Sequence, residues 1–139
     1  MTEKELEALK ARVAADDPEA MFVYAEAIRR TNKAESDKYM RLAAQLAHPA
    51  ACEKMGDMYM AANDNDNAAH YYRIGAKAGR PDCSVKVALI HLSIDEISAI
   101  KELEELAESG IKSACSALAA YYKALGNRKQ YNFWNSLAK

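Results

Sequence analysis

Small and large apolar residues recur along the chain at intervals of four, one and three residues. These intervals place the residues on one face of an α-helix, because a β-strand would present them on alternate faces. The pattern occurs four times: Ala20, Tyr24, Ala25 and Ile28; Ala51, Met55, Gly56 and Tyr59; Cys83, Val87, Ala88 and His91; Ala114, Leu118, Ala119 and Tyr122. Each occurrence predicts the first helix of a repeated unit.

A second apolar pattern follows each of these helices and pairs large residues with small ones about one helical turn away. Its four occurrences are Tyr39, Met40, Ala43, Ala44 and Ala47; Ala68, Tyr71, Tyr72, Gly75, Ala76 and Gly79; Ala99, Leu103, Leu106, Ala107 and Gly110; Phe133, Trp134, Leu137 and Ala138. Large side chains beside small ones let neighbouring helices interlock. The two patterns together predict an antiparallel helical hairpin that is repeated four times.

Three prolines set the register of the repeat. Pro18, Pro49 and Pro81 are separated by 31 and then 32 residues, and Lys112 lies 31 residues further on. A two-helix unit of this length is typical of a helical solenoid. We therefore predict one all-α domain over residues 1–139, an α-α superhelix of antiparallel hairpins with about nine helices. Its parts are a capping helix in residues 1–17 and copies at residues 18–48, 49–80, 81–111 and 112–139.

Start and stop signals lie between the predicted helices. A polar residue followed three positions later by Glu or Gln resembles a capping box. The four candidates are Thr2 with Glu5, Asn32 with Glu35, Ser93 with Glu96, and Asn127 with Gln130. Gly79 and Gly110 stand where a second helix should end, and Pro49 and Pro81 where the next helix should begin. These signals indicate separate helices joined by short turns.

The second copy carries a recognisable motif. It has Ala51, Met55-Gly56 and Tyr59 in its first helix, and Ala68, Tyr71-Tyr72, Gly75-Ala76 and Gly79 in its second. In these residues it resembles the Sel1-like repeat, a branch of the tetratricopeptide-like solenoids. The equivalent positions of the aligned copies form columns. The third copy departs from the motif, because His91 replaces the aromatic residue and Glu102 occupies a column that holds tyrosine in the first two copies. The unit is also short and lacks the Gly-x-Gly loop usual in that family, so a generic tetratricopeptide-like repeat is the alternative. The resemblance implies a module that binds other proteins.

The composition mainly excludes classes of partner. The 19 basic and 20 acidic residues nearly cancel, which argues against binding to nucleic acid or to an anionic membrane. No segment approaches the ~18 apolar residues of a membrane span, and the first residues do not resemble a secretory signal. The 3 cysteines are too few and too widely spaced for a disulfide scaffold, which is typical of a reducing compartment. We therefore expect a cytoplasmic protein.

Three features invite a chemical interpretation, and each has a simpler one. The cysteines, Cys52, Cys83 and Cys115, lie in columns of small residues without a Cys-x-x-Cys pair, so we expect them to be buried. Residues 63–67, Asn-Asp-Asn-Asp-Asn, lack the glycine and glutamate of a calcium-binding loop and fall at a predicted turn.

His48, His70 and His91 lie in different columns, and no motif places a catalytic partner beside them. We predict no catalytic residue, no metal site and no cofactor, and therefore not an enzyme. The alternative is a hydrolase whose Cys and His meet only in the folded chain.

The first helices of such arrays line the concave surface, so their residues outside the core are the expected partner contacts. The candidates are Phe22, Glu26, Arg29, Glu53, Asp57, Met60, Val85, Leu89, Leu92 and Lys123. The first two copies supply three carboxylates, and the third supplies aliphatic side chains. We therefore predict an adaptor or scaffold that binds an unidentified protein or peptide in its groove.

Two segments are more apolar than one packed face requires. Residues 85–92 are apolar nearly all round, so either the fourth copy or a partner covers them. The last predicted helix contains Tyr131, Phe133, Trp134 and Leu137. A homodimer through this helix, or a purely structural homo-oligomer, is a further alternative.

Overall fold

The computed structural model describes residues 1–139 and contains nine α-helices and no β-strand. The helices are α1 (Glu3–Ala14), α2 (Pro18–Ile28), α3 (Lys33–Gln45), α4 (Pro49–Ala61), α5 (Asn65–Lys77), α6 (Asp82–His91), α7 (Glu96–Glu108), α8 (Lys112–Ala124) and α9 (Arg128–Leu137). The predicted all-α fold and number of helices are confirmed. None of the nine helices combines the length and the apolar character needed to cross a membrane.

The helices form two compact units. The first unit, Met1–Arg80, contains α1 to α5, and the second unit, Pro81–Lys139, contains α6 to α9. The division falls between the second and third copies of the repeat. Within each unit every helix packs against the helix that follows it in the chain.

The core of the first unit consists mainly of residues that the repeat pattern assigns to packed faces. Its buried members are Leu9, Val13, Ala20, Met21, Tyr24, Ala25, Ile28, Met40, Ala43, Ala44, Ala51, Cys52, Met55 and Tyr71. One polar residue, Ser36 on α3, is also buried. Its hydroxyl donates a hydrogen bond of 2.6 Å to the carbonyl oxygen of Ala25 on α2. Burial of this hydroxyl is therefore compensated by a hydrogen bond that also joins the two helices.

The core of the second unit draws on α6, α7 and α8. Its buried members are Val85, Ala88, Leu103, Ala114 and Leu118, with Ile100, Leu106, Ala107, Ile111, Ala117, Tyr122 and Trp134 packed around them. Ala114 and Leu118 on α8 therefore share a core with residues of α6. The fourth copy thus covers part of the apolar segment 85–92. This is one of the two alternatives that the sequence left open, the other being a partner.

Polar side chains cap the N-termini of most helices. Thr2, Asn32 and Asn127 accept the backbone N–H three residues later, as predicted. The predicted pairing of Ser93 with Glu96 is wrong, because α7 begins only at Glu96 and Asp95 accepts the N–H of Ser98. The Ser93 hydroxyl instead donates to the carbonyl oxygen of Ile90. Pro49 is the first residue of α4, whereas Pro81 lies one residue before α6.

The turn before each copy contains one residue in the left-handed conformation. Its φ angle is 61° at Asp16, 61° at Ala47, 106° at Gly79 and 97° at Gly110. The residue after Ala47, His48, donates its backbone N–H to the carbonyl oxygen of Ala43 at 3.0 Å, and the other three turns repeat this bond. Helices commonly end in this way, with glycine favoured at the left-handed position. The predicted role of the two glycines is confirmed, and Ala47 shares it.

Exchanging alanine and glycine at this left-handed position should change the stability in opposite directions in two of the turns. Ala47→Gly is expected to raise the free energy of unfolding by about 1 kcal/mol, because glycine reaches positive φ without the steric cost of a Cβ. Gly110→Ala is expected to lower the free energy of unfolding by about 1 kcal/mol, because alanine is strained at positive φ. No atom lies within 4 Å of the added Cβ, so a steric clash does not contribute to this loss. Urea denaturation followed by circular dichroism measures both. Effects of the same sign would contradict the shared conformation.

Candidate functional site

Six of the ten predicted contact residues belong to α2, α4 or the residue directly after α2 in the first unit. Glu26, Arg29, Asp57 and Met60 are exposed, and Phe22 and Glu53 are half-buried. All six positions lie outside the buried core of the unit. These six side chains are therefore accessible outside the core, and their contact with a partner stays a prediction.

A cluster of Glu19, Phe22 and His48 joins the start of α4 to α2. The Nδ1 atom of His48 accepts the backbone N–H of Ala51 at 3.1 Å and so caps α4. The Nε2 atom of His48 therefore carries the proton and donates to the Glu19 carboxylate at 2.5 Å. The imidazole ring also stacks on Phe22, with ring centroids 4.7 Å apart. These contacts fix the position of Phe22.

Three predicted carboxylates also have partners within the first unit. Glu26 on α2 forms an ion pair with Lys54 on α4 at 3.3 Å. Glu53 pairs with Arg80 at 2.8 Å, and Asp57 accepts a hydrogen bond from the Tyr72 hydroxyl. Exposed ion pairs contribute little to stability, but these hold the side chains in defined positions.

The sequence contained a signal for two of these partners. His48 and Arg80 each stand directly before the proline of the next copy, and they contact Phe22 and Glu53, which share a column. Sequence reasoning missed this relation because it treated each helix face separately.

In the second unit, three predicted contact residues are accessible and one is not. Leu89 is 42% exposed, Leu92 is half-buried, and the Lys123 ammonium lies 5.7 Å from the centroid of the Tyr131 ring. The expectation that Val85 faces a partner is wrong, because Val85 is 3% exposed and belongs to the core with Ile111. Ile111 stands in the column of His48 and Arg80, so in the third copy both positions hold apolar residues of one core.

The two departures of the third copy from the repeat motif form one contact. The Nδ1 atom of His91 on α6 lies 3.1 Å from a carboxylate oxygen of Glu102 on α7. The same two columns hold Tyr59 and Tyr71 in the second copy, whose rings stack with centroids 5.7 Å apart. A polar pair therefore replaces an aromatic pair at the same junction between the two helices of a copy.

The cysteines are placed as small core residues. No disulfide joins Cys52, Cys83 and Cys115, and all three are buried. Burial raises the pKa of the Cys52 thiol above its ordinary value, and this thiol donates to the carbonyl oxygen of Ala44 at 3.3 Å. A nucleophilic cysteine needs the opposite environment, one that lowers the thiol pKa.

Residues 63–67 form a turn and a helix start. Asn63 adopts a φ of 59°, and Asp64 caps α5 by accepting the N–H of Asn67 at 3.1 Å. The Asp64 carboxylate, one of the two in this segment, is therefore engaged with the backbone and the side chain of Asn67. No group of three His, Cys, Asp or Glu side chains is arranged to hold a metal ion.

This arrangement of helical hairpins is the fold of an all-α repeat protein, and comparison with known proteins specifies which kind. No protein-family model matches the sequence, and no curated protein matches it significantly. Solved structures do match. A Sel1 repeat protein from Oxalobacter formigenes superimposes with a TM-score of 0.72 at 19% identity over 97% of the chain.

Two further structures share the fold. The antigen c5321 of uropathogenic Escherichia coli, which displays an SLR fold, matches with a TM-score of 0.75 at 20% identity over 96% of the chain. The MamA structure matches with a TM-score of 0.62 at 15% identity and is covered to 84% of its length. The chain spans 63% of the Oxalobacter protein and 32% of the antigen. The resemblance to the Sel1-like repeat is thus confirmed at the level of the fold.

Proposed function

We propose that the protein is an adaptor or scaffold that binds another protein or a peptide through the exposed side of α2 and α4. The Glu26–Lys54 ion pair carries the proposal, because it joins the two helices on the surface. The contacts of Phe22 with His48 and of Glu53 with Arg80 hold neighbouring side chains in the same way. A surface ordered before binding loses less conformational entropy when a partner docks. The fold supports this use, since helical repeats commonly bind proteins on extended surfaces.

The partner should match a surface of mixed charge. Lys54 and Glu26 neutralise each other, whereas Arg29 is exposed and makes no ion pair. Met60 adds an exposed apolar side chain. These features favour a protein or peptide with a carboxylate beside an apolar group, and they do not favour nucleic acid or a membrane surface.

The same proposal places the protein in the cytoplasm and assigns it no catalytic role. Three cysteines that form no disulfide support a reducing compartment. The burial of all three cysteines and the raised pKa of the Cys52 thiol support a binding role over a Cys/His hydrolase.

Affinity capture with single-residue variants tests the binding surface. The 139-residue chain is immobilised and partners from an extract of the source organism are identified by mass spectrometry. Arg29→Glu and Met60→Asp are each expected to reduce recovery of a specific partner about tenfold, which corresponds to one well-packed contact residue. Arg41→Glu is the matched control, because Arg41 is an exposed residue of α3. Recovery of the partner by Arg29→Glu and Met60→Asp at the level of the Arg41→Glu control would contradict the proposal.

A homodimer through α9 is a second candidate function that one observation favours. This helix has no fully buried residue, and Phe133 and Leu137 on it are 48% and 49% exposed. Large apolar side chains in such positions are typical of protein interfaces. Light scattering tests it: the mass should rise with concentration in the wild-type chain and should not in Phe133→Asp.

A further inference from the structure

The third and fourth copies carry opposite charges. Residues 81–111 contain seven acidic residues and two lysines, whereas residues 112–139 contain five basic residues and no acidic one. The acidic residues are Asp82, Asp95, Glu96, Glu102, Glu104, Glu105 and Glu108, and the basic residues of the fourth copy are Lys112, Lys123, Arg128, Lys129 and Lys139. The near-zero charge of the whole chain therefore conceals a strong separation within the second unit.

The acidic charge lies mainly on α7, beside exposed apolar groups. Glu104, Glu105 and Glu108 make no ion pair in the structure. Ile97 on the same helix is 85% exposed. It lines a cavity of about 350 Å³ together with Glu96, Ile100, Lys101, Glu104, Tyr121 and Tyr122. This surface, which we call the α7 cleft, is lined by apolar and aromatic side chains, by the two carboxylates of Glu96 and Glu104, and by one cation, Lys101.

The basic charge lies partly on α9, also beside exposed apolar groups. Arg128 and Lys129 in the first turn of α9 make no ion pair. Phe133 lies one helical turn after Lys129, and Leu137 lies one turn further, so the three share one side of the helix. Helix α9 therefore presents cations next to apolar side chains, which is the complement of the α7 cleft.

We infer that α9 of one copy docks in the α7 cleft of a second copy. Pairing α7 with α7 would oppose carboxylates, and pairing α9 with α9 would oppose cations, so only the mixed pairing is electrostatically favourable. Both surfaces belong to every chain, and a two-fold axis lets each copy contribute its α9 to the other's cleft, which closes the assembly as a dimer. The inference rests on the second candidate function, the homodimer through α9, and names the surface that α9 contacts.

Sedimentation velocity of the purified 139-residue chain over a range of concentrations and salt tests the inference. The wild-type chain is expected to dimerise, and added salt should weaken the dimer because it screens the charges. Charge reversal on one surface, either Glu104→Lys with Glu105→Lys or Arg128→Glu with Lys129→Glu, should raise the dimer dissociation constant about tenfold or more. Arg41→Glu with Lys77→Glu reverses two exposed charges of the first unit and should leave it unchanged.

Mixing the two reversed variants supplies the decisive readout. One variant then carries cations on both surfaces and the other carries carboxylates on both, so each α7 meets an α9 of opposite charge. An equimolar mixture should form a heterodimer about as readily as the wild-type chain dimerises. This recovery also shows that both variants are folded.

Two other outcomes would overturn the inference and have different consequences. A dimer that Phe133→Asp abolishes but the α7 reversal does not alter would keep the α9 homodimer and refute the α7 cleft as its partner. A wild-type chain that stays monomeric at every concentration would refute both. Neither result bears on the proposed binding surface of α2 and α4.

Discussion

Leu103→Ala is expected to lower the free energy of unfolding by about 3 kcal/mol, the largest loss of the substitutions considered. Leu103 on α7 is 0% exposed, and it shares the core of the second unit with Val85, Ala88 and Leu118. Truncating a buried leucine removes its transfer free energy and leaves a cavity that the neighbouring helices fill only in part. Urea denaturation monitored by circular dichroism measures the loss as a lower transition midpoint.

Leu125→Ala is the matched control for this substitution. Leu125 lies in the same unit, directly after α8, but is 61% exposed. The same change of side chain should therefore alter the free energy of unfolding by less than about 0.5 kcal/mol. A comparable loss in both variants would mean that the core of the second unit is not centred where the structure places it.

Gly56→Ala should destabilise the first unit by about 2 kcal/mol. A Cβ added to Gly56 on α4 would lie 2.4 Å from a ring carbon of Tyr72 on α5, so the ring or one of the two helices must move. Overpacking of this kind costs about 1–3 kcal/mol or more, and the higher helix propensity of alanine offsets about 1 kcal/mol of it. The tyrosine ring is buried and has little room to yield.

The other copies suggest a variant that rescues the clash. The column of Gly56 holds Ala25, Ala88 and Ala119, and the column of Tyr72 holds Met40, Leu103 and Trp134. The double variant Gly56→Ala with Tyr72→Leu therefore recreates the Ala88–Leu103 pair of the third copy. Its loss of stability should be smaller than the sum of the two single losses. Strictly additive losses would contradict the contact.

The repeat was predictable because the same pattern of small and large apolar residues occurs in each copy. A single helix with small and large residues at these intervals would have been ambiguous, but four copies in one register leave few alternatives. The helix ends were predictable where glycine or proline marks them. The start of α7 was not, because Ser93 and Asp95 are both residue types that favour the N-cap position, and the sequence does not distinguish them.

The candidate surface was less predictable, because burial depends on side chains from other copies. Val85 resembled its column neighbours Phe22 and Glu53 on the helical wheel, but Ile111 makes its surroundings apolar. The ion pair of Glu26 with Lys54 and the contact of His91 with Glu102 each join different helices. The sequence marked His91 and Glu102 as departures from the motif, but their pairing became apparent only in the folded hairpin.

The shared register of the four copies is tested most directly by assignment of the backbone chemical shifts by NMR. Nine helical stretches are expected, with breaks at the four equivalent positions Asp16, Ala47, Gly79 and Gly110 and positive φ at each. Shifts that run helically through Ala47 and Pro49 without a break, or that show extended structure in any copy, would contradict the register on which the proposed surfaces depend.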